Sequence, residues 1–242
     1  MKKSIRFIIV SLIIIATAFL SFALTGCNES LDIGEAEKIL AEGIEKALES
    51  DTYYIKYRIN NVNSEEGKFV QYSLNVAEEK TAKFTVATGD MLKTDYKDSY
   101  YGKSLKEGVN KDSAKDSDYV TGFLESASNG KWNITPCTFE EFLTNEKISA
   151  YNMDSVTALL KDIPEGQLEI VSATRTGKVV YINVKVKDQN NMLSAYESVN
   201  IRVINGKLSY IGDVKESFDI SIAFGGPKIT VPVWSATNEK GE

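Results

Sequence analysis

From Tyr53 onward, apolar residues recur at every second position in one segment after another, and that period commits most of the chain to β-sheet. Tyr53, Ile55, Tyr57 and Ile59 alternate with Tyr54, Lys56, Arg58 and Asn60. Successive side chains of a strand point to opposite faces, so this alternation makes one dry face and one wet one. A turn at Asn63 to Gly67 leads to Val70, Tyr72, Leu74 and Val76, and a turn at Glu78-Glu79-Lys80 leads to Ala82, Phe84 and Val86. Three such strands with short connections predict an antiparallel meander, to which Tyr96 to Tyr101 adds a fourth strand. The period returns in Leu168 to Ala173, in Val180 to Val186, and in Val199, Ile201 and Val203. Asn205-Gly206 then suits a two-residue hairpin whose central residues both need positive φ. Leu208, Tyr210 and Val214 return from it, and Phe218, Ile220, Ile222 and Phe224 form the next strand before Gly225-Gly226-Pro227. Ile229, Val231 and Val233 predict a last edge strand, because Pro232 cannot donate to a ladder.

Helical spacing is confined to three places. Asp32, with Glu35 three residues on, is placed to cap a helix whose stripe is Ile33, Ala36, Leu40, Ile44, Ala47 and Leu48. Thr138 and Glu141 have the same capping-box spacing ahead of Phe142-Leu143. Asp154 is placed to cap a helix running to Ile163, which Pro164-Glu165-Gly166 ends. Between these elements, Lys103 to Asp118 is a polar stretch that reads as a mobile loop or lid. The order of elements, helix, meander, short helices, meander, gives an α+β fold with segregated elements. The expected architecture is a curved, half-barrel-like antiparallel sheet with an N-terminal helix and short helices on its concave side, in one domain over residues 32–234.

Ahead of this domain lies a segment of another kind. Lys2, Lys3 and Arg6 precede an uncharged, mostly apolar run from Phe7 to Ala23, and Leu24-Thr25-Gly26-Cys27 follows. Cations, apolar run and small-residue site in that order are a secretory signal. An uncleaved transmembrane anchor is the alternative, since a run of this length lies at the bottom of the spanning range, roughly 17–25 residues. The Leu-Thr-Gly-Cys ending resembles the lipobox of bacterial lipoproteins. That resemblance implies a Cys27 thioether-linked to diacylglycerol, cleavage after Gly26, a tether at residues 27–31 and a membrane partner reached through the lipidated Cys27. The 26 residues removed carry three cations and no acid, so 216 residues remain and the net charge moves from −6 to −9. An acidic surface argues against nucleic acid as a partner, because phosphate binding needs Lys/Arg patches. Residues 235–242 read as a flexible tail.

The mature element order also resembles LolA-like lipoprotein and lipid carriers, carried by Ala36 to Leu48, Tyr53 to Val86, Asp154 to Ile163 and Leu168 to Val186. Cystatin- and NTF2-like domains offer comparable elements. The LolA resemblance implies an acyl chain held between helices and a curved sheet, and it transfers no binding residues. From register alone, Tyr57, Tyr72 and Phe84 are the candidate lining of an apolar ligand cavity on the inner face.

Catalytic readings find little to stand on. The chain has no histidine, which removes Ser-His-Asp and Cys-His chemistry and the usual zinc sites. Cys137, with no partner once Cys27 is acylated, reads as an inert thiol. Ser128-Asn129-Gly130-Lys131 matches Ser-x-x-Lys, but it falls in a turn and no Lys-Thr-Gly accompanies it. Asp112, Asp116 and Asp118 lack calcium-loop spacing. No cofactor and no metal are expected. The expectation is a non-enzymatic, membrane-anchored extracytoplasmic lipoprotein that binds or carries an apolar envelope molecule. The alternative is a tethered module, without a ligand cavity, that docks another envelope protein. Replacing Cys27 by Ala should abolish incorporation of a clickable fatty acid into the protein in cells; undiminished label would end the lipobox reading.

Overall fold

The computed structural model describes residues 28–61, 67–90, 92–127, 129–161, 167–187, 192–215 and 217–234. The signal segment, Cys27, Ser128, the Pro164-Glu165-Gly166 stop and the tail 235–242 lie outside the described residues. Among the described residues, no helix is long and apolar enough to cross a membrane.

Among the described residues, twelve strands form one antiparallel sheet. They are β1 (Glu29–Leu31), β2 (Tyr53–Asn60), β3 (Phe69–Ala77), β4 (Thr81–Gly89), β5 (Thr94–Leu105), β6 (Tyr119–Ser126), β7 (Trp132–Pro136), β8 (Leu168–Thr176), β9 (Val179–Val186), β10 (Ser198–Ile204), β11 (Lys207–Asp213) and β12 (Phe218–Phe224). The spatial order is β1-β8-β9-β10-β11-β12-β2-β3-β4-β5-β6-β7, an open sheet with β1 and β7 at its two edges. Two consecutive meanders are therefore joined edge to edge by β12 and β2. The helices are α1 (Ile33–Leu48), α2 (Phe139–Leu143) and α3 (Met153–Ala158).

Register turns the alternation into a core. Ile55 pairs with Leu74 and Leu74 with Phe84, while Tyr53 pairs with Val76 and Val76 with Ala82. Ile182 and Ile201 pair in the same way, as do Ile201 and Ile211. All of these residues are buried. Helix α1 lays Ala36, Leu40, Gly43 and Ala47 on β8, β10 and β11. Gly43 lets the helix lie close, since a Cβ there would sit 3.1 Å from a Val203 methyl, which would have to give way. The Asp32 carboxylate caps α1 by accepting from the Glu35 N–H at 2.9 Å. Thr138 and Glu141 form the reciprocal box on α2.

Several expectations change. The proposed tether is not free of the domain: Glu29–Leu31 pairs with Arg175 to Ala173 as an edge strand. The third helix is capped by Asn152, whose Oδ1 accepts from the Ser155 N–H at 2.9 Å, and not by Asp154. Lys103 to Leu105 extends β5, and the remainder of the polar stretch is a hairpin loop closed by Lys106 N–H donating to the Asp118 carbonyl. Strands β6 and β7 were not expected. Their alternation is broken by Gly122, where a Cβ would meet the Thr135 carbonyl oxygen at 2.2 Å. On β11 a bulge at Ser209 brings Leu208 and Ile211 inward and turns Tyr210 outward, under the Arg202 guanidinium at 4.2 Å.

The expected last strand is instead a strap. Residues 226–234 cross the outer face, where the Pro227 carbonyl accepts from Asn75 Nδ2 and the Pro232 carbonyl from the Ser104 hydroxyl. Trp234 makes only an isolated parallel bridge to Lys106. Pro227 and Pro232 remove two donors from this stretch, which disfavours a ladder. Val231 packs where Gly102 has no side chain, with a built Cβ only 2.7 Å from its methyl.

Asn205 and Gly206 have φ of 53° and 74° and close a two-residue hairpin in which Ile204 pairs with Lys207. A β-branched residue is strained in that region. Gly206→Val should lower stability by about 1–2 kcal/mol, read as a shift of the denaturation midpoint with unchanged slope.

Candidate functional site

Two kinds of cover lie on the inner face of the sheet. Over β8, β10 and β11 sits the long helix α1. Beyond β12 the cover is the segment 138–160, built from α2, a 3-10 turn at Ser149–Tyr151 and α3. This segment is held by buried apolar side chains and by hydrogen bonds within it. Asn152 joins its two helices, donating from Nδ2 to the Leu143 carbonyl at 3.2 Å while capping α3. Phe142, Ile148, Met153, Val156 and Leu160 are its buried apolar plugs.

Beneath the turn the sheet presents the three residues expected from register. Tyr57 and Tyr72 are directly paired across β2 and β3, with ring centroids 6.3 Å apart, and Tyr72 and Phe84 are diagonal neighbours at 6.5 Å. The sequence reading missed the residue that completes the group. Tyr151 stacks on Tyr72 at 4.2 Å and 10°, and reaches Tyr57 at 5.6 Å and Phe84 at 5.7 Å. Its signal was faint, a lone aromatic in Ser149-Ala150-Tyr151 between two helix starts. Phe218 and Tyr196 extend the layer toward β12. Each aromatic pair is worth about 0.5–1.5 kcal/mol beyond its buried area.

This layer is flanked by hollows at both margins of the cover. On one side a groove of about 1030 Å³ is walled by Val76, Phe139, Leu143 and Met153, with Glu49, Asp51, Glu78, Glu79, Lys80 and Lys207 around it. On the other a cleft of about 330 Å³ is lined by Tyr72, Phe84, Val86, Phe123 and Tyr151, with Lys97, Glu125 and Lys147 at its rim. Lys147 and Glu125 pair at 2.8 Å across that rim. Neither hollow is lined by a described residue of 103–118. The sheet face between the two hollows is apolar, carrying Leu74, Val76, Ala82 and Phe84.

Burial sets the electrostatics of the layer. It drives the phenols of Tyr57 and Tyr151 well above their ordinary range; neighbouring tyrosines add to the effect. Tyr53, at the groove wall, is pushed up to about 12, mainly by burial and against a hydrogen bond with the Met153 backbone. An apolar surrounding that suppresses phenolate is one that also excludes charged ligand groups.

The remaining candidates have local roles. Cys137 is a half-buried free thiol packed on the core, and burial raises its pKa, which keeps it protonated and poorly nucleophilic. Asn129 and Lys131 belong to the β6–β7 turn, where Asn129 Oδ1 accepts from the Lys131 N–H. Asp116 lies 3.5 Å from Lys103 Nζ, and the Asp118 carboxylate closes its own turn onto the Lys115 N–H. Among the described residues, no group of three or more His, Cys, Asp or Glu side chains could hold a metal ion.

No protein-family model matches the sequence, and no curated protein does. Among solved structures the chain is similar to the crystal structure of LprF from Mycobacterium bovis, at 11% identity and a TM-score of 0.41, over 82% of this chain and 96% of that one. A likeness of this extent assigns no function.

The buried phenols lead to a pH prediction. Unfolded tyrosines ionise near their ordinary value of 10, whereas the folded layer holds its protons above it. The stabilisation is therefore complete below that pH and is lost as pH climbs through the raised values, up to about 12 for Tyr53. Phenolate absorbance should show a late group of tyrosines that titrates only with alkaline unfolding. Tyr151→Phe should remove one of them and flatten the loss of stability; a variant with the wild-type alkaline profile would count against a neutral, buried Tyr151.

Proposed function

We propose that this chain is a membrane-anchored, extracytoplasmic lipoprotein, without enzymatic activity, that holds an apolar molecule such as an acyl chain between the inner sheet face and the cover 138–160. The observation that carries the reading is the pair of hollows at opposite margins of one thin cover, with an apolar sheet face between them. Helices α2 and α3 have five and six residues, too short to be stable without their packing. Outward movement of the cover joins the groove to the cleft, and Tyr151 is the side chain that must leave Tyr72 for that to happen. A chain of methylenes laid there would replace ring contacts with new apolar burial, about 0.8 kcal/mol per methylene.

Tyr151 also motivates the second reading. In the structure it occupies the space above Tyr72, as the filled core of a protein-docking module would require. The two readings diverge under added bulk. Native mass spectrometry of the soluble domain should reveal a co-purified lipid. Tyr72→Trp and Phe84→Trp should reduce that lipid while preserving the melting midpoint, because a ligand space accepts the larger ring. A filled core should instead lose about 1–3 kcal/mol from overpacking. Destabilised tryptophan variants together with a lipid-free wild type would move the assignment to the docking module.

A further inference from the structure

The groove and Asn28, the residue that follows Cys27, share one end of the sheet, and the chain leaves almost no slack between Cys27 and the body. Strand β1 is held by more than its ladder. Arg175 donates to Glu29 at 3.1 Å and to Glu35 at 2.9 Å, and the Thr176 hydroxyl meets Asn28 Oδ1 at 2.6 Å. Asn28 is thus already part of the body, and Cys27 precedes it by a single peptide unit, about 3.8 Å between Cα atoms.

From Asn28 a continuous row of turns leads to the groove. Thr176 opens the β8–β9 turn, and the Asn205 N–H donates to the Lys178 carbonyl, joining that turn to the β10–β11 hairpin. Lys207 follows the hairpin, donates from Nζ to the Ser50 hydroxyl at 2.8 Å, and with Ser50 lines the groove. From β1 to β11 is four strand spacings, roughly 19 Å at about 4.8 Å each. Both turns along this route end in lysine, Thr176-Gly177-Lys178 and Asn205-Gly206-Lys207, and neither contains a carboxylate. Lys46 lies beside the second, its Nζ 3.6 Å from where a Gly206 side chain would begin, with Glu42 as a distant partner at 3.9 Å. Lys46, Lys178 and Lys207 thus lie on the stretch between Asn28 and the groove, while Glu49, Asp51, Glu78 and Glu79 lie around the groove itself and leave the phosphate contacts to the lysine turns. Ile204, at 37% exposure, and Leu48, at 46%, add apolar surface to the same end.

We propose that this end of the sheet is a bilayer-contacting surface, with the lysine-bearing turns against lipid phosphates and the groove mouth held at the outer leaflet. The inference rests on acylation of Cys27 and on the carrier reading, and it names the source of the ligand: a lipid of the anchoring membrane, entering without passing through bulk water. A long tether would let the domain tumble; β1 and the Arg175 clamp remove that freedom.

The test uses the full, acylated chain in phosphatidylcholine–phosphatidylglycerol vesicles, with Cys137→Ser to leave one labelling site at a time. A nitroxide is placed at Ile204→Cys, near the lysine turns, or at Leu92→Cys, in the turn at the opposite end of the sheet. Collision with a lipid-phase relaxant should be several-fold greater at position 204 than at 92. Inserting about ten Gly/Ser residues between Cys27 and Asn28, a coil of roughly 17 Å, should erase the difference, and Arg175→Ala should reduce it. Equal collision rates at the two sites, or a bias that survives the insertion, would overturn the orientation. The readout needs no bound ligand, so it separates from the carrier reading: lipid co-purifying with the soluble domain despite equal rates removes only the orientation. A clear bias with a lipid-free domain removes only the carriage.

Discussion

The pairing of β12 with β2 is the contact on which the other structure depends. Phe218 to Phe224 lies against Ile59 to Tyr53 over seven residue pairs, and without it the chain would be two separate meanders, each with an exposed apolar face and an open edge. The pairing places Phe218 6.4 Å from Tyr57 and gives the aromatic layer its second side. It also joins residues more than 150 positions apart in sequence. Closing a loop of that length must precede any gain from the contact, so this seam should be a late and slow event in folding.

The single sheet that results is covered unevenly, and the unevenness is where function can reside. α1 has 16 residues, a buried stripe and a glycine fitted to Val203, and it closes β8 to β11 tightly. The cover over β2 to β6 has the same task with two short helices and a turn. Its hold comes from the buried side chains of Phe142, Ile148, Met153, Val156 and Leu160 and from Asn152, whose amide serves both helices at once. Helices of five and six residues are not stable without that packing, which sets this segment apart from α1.

The outer face works by different means. Lys83 and Asp98 pair at 2.8 Å, Thr85 donates to Asp98 at 2.7 Å, and Lys187 and Glu169 pair at 2.9 Å. Such exposed or half-exposed pairs add little to stability; their effect is to keep that face wet and to fix which way each strand faces. The strap 226–234 adds apolar surface to this side, where Val231 fills the place left by Gly102.

The sequence by itself determined the elements whose cause is local. Alternation gave the strands from Tyr53 to Val86 and from Leu168 to Phe224, because a one-residue slip would turn every buried side chain outward. Asp32 and Thr138 marked helix starts, and Asn205-Gly206 marked its hairpin, since each satisfies a backbone requirement within a few residues. From the same register Tyr57, Tyr72 and Phe84 could be placed together. Tertiary structure alone decided the rest. β6 and β7 depend on Gly122 admitting the Thr135 carbonyl, an approach visible only once the strands are side by side. The strap depends on Asn75 and Ser104, far from it in sequence. Tyr151 joins the layer only because the short-helix cover folds back over β3. Glu29–Leu31 becomes a strand only because β8 offers an open edge, with Arg175 to hold it. No local pattern encodes these features, because each follows from where the sheet ends and what it leaves uncovered.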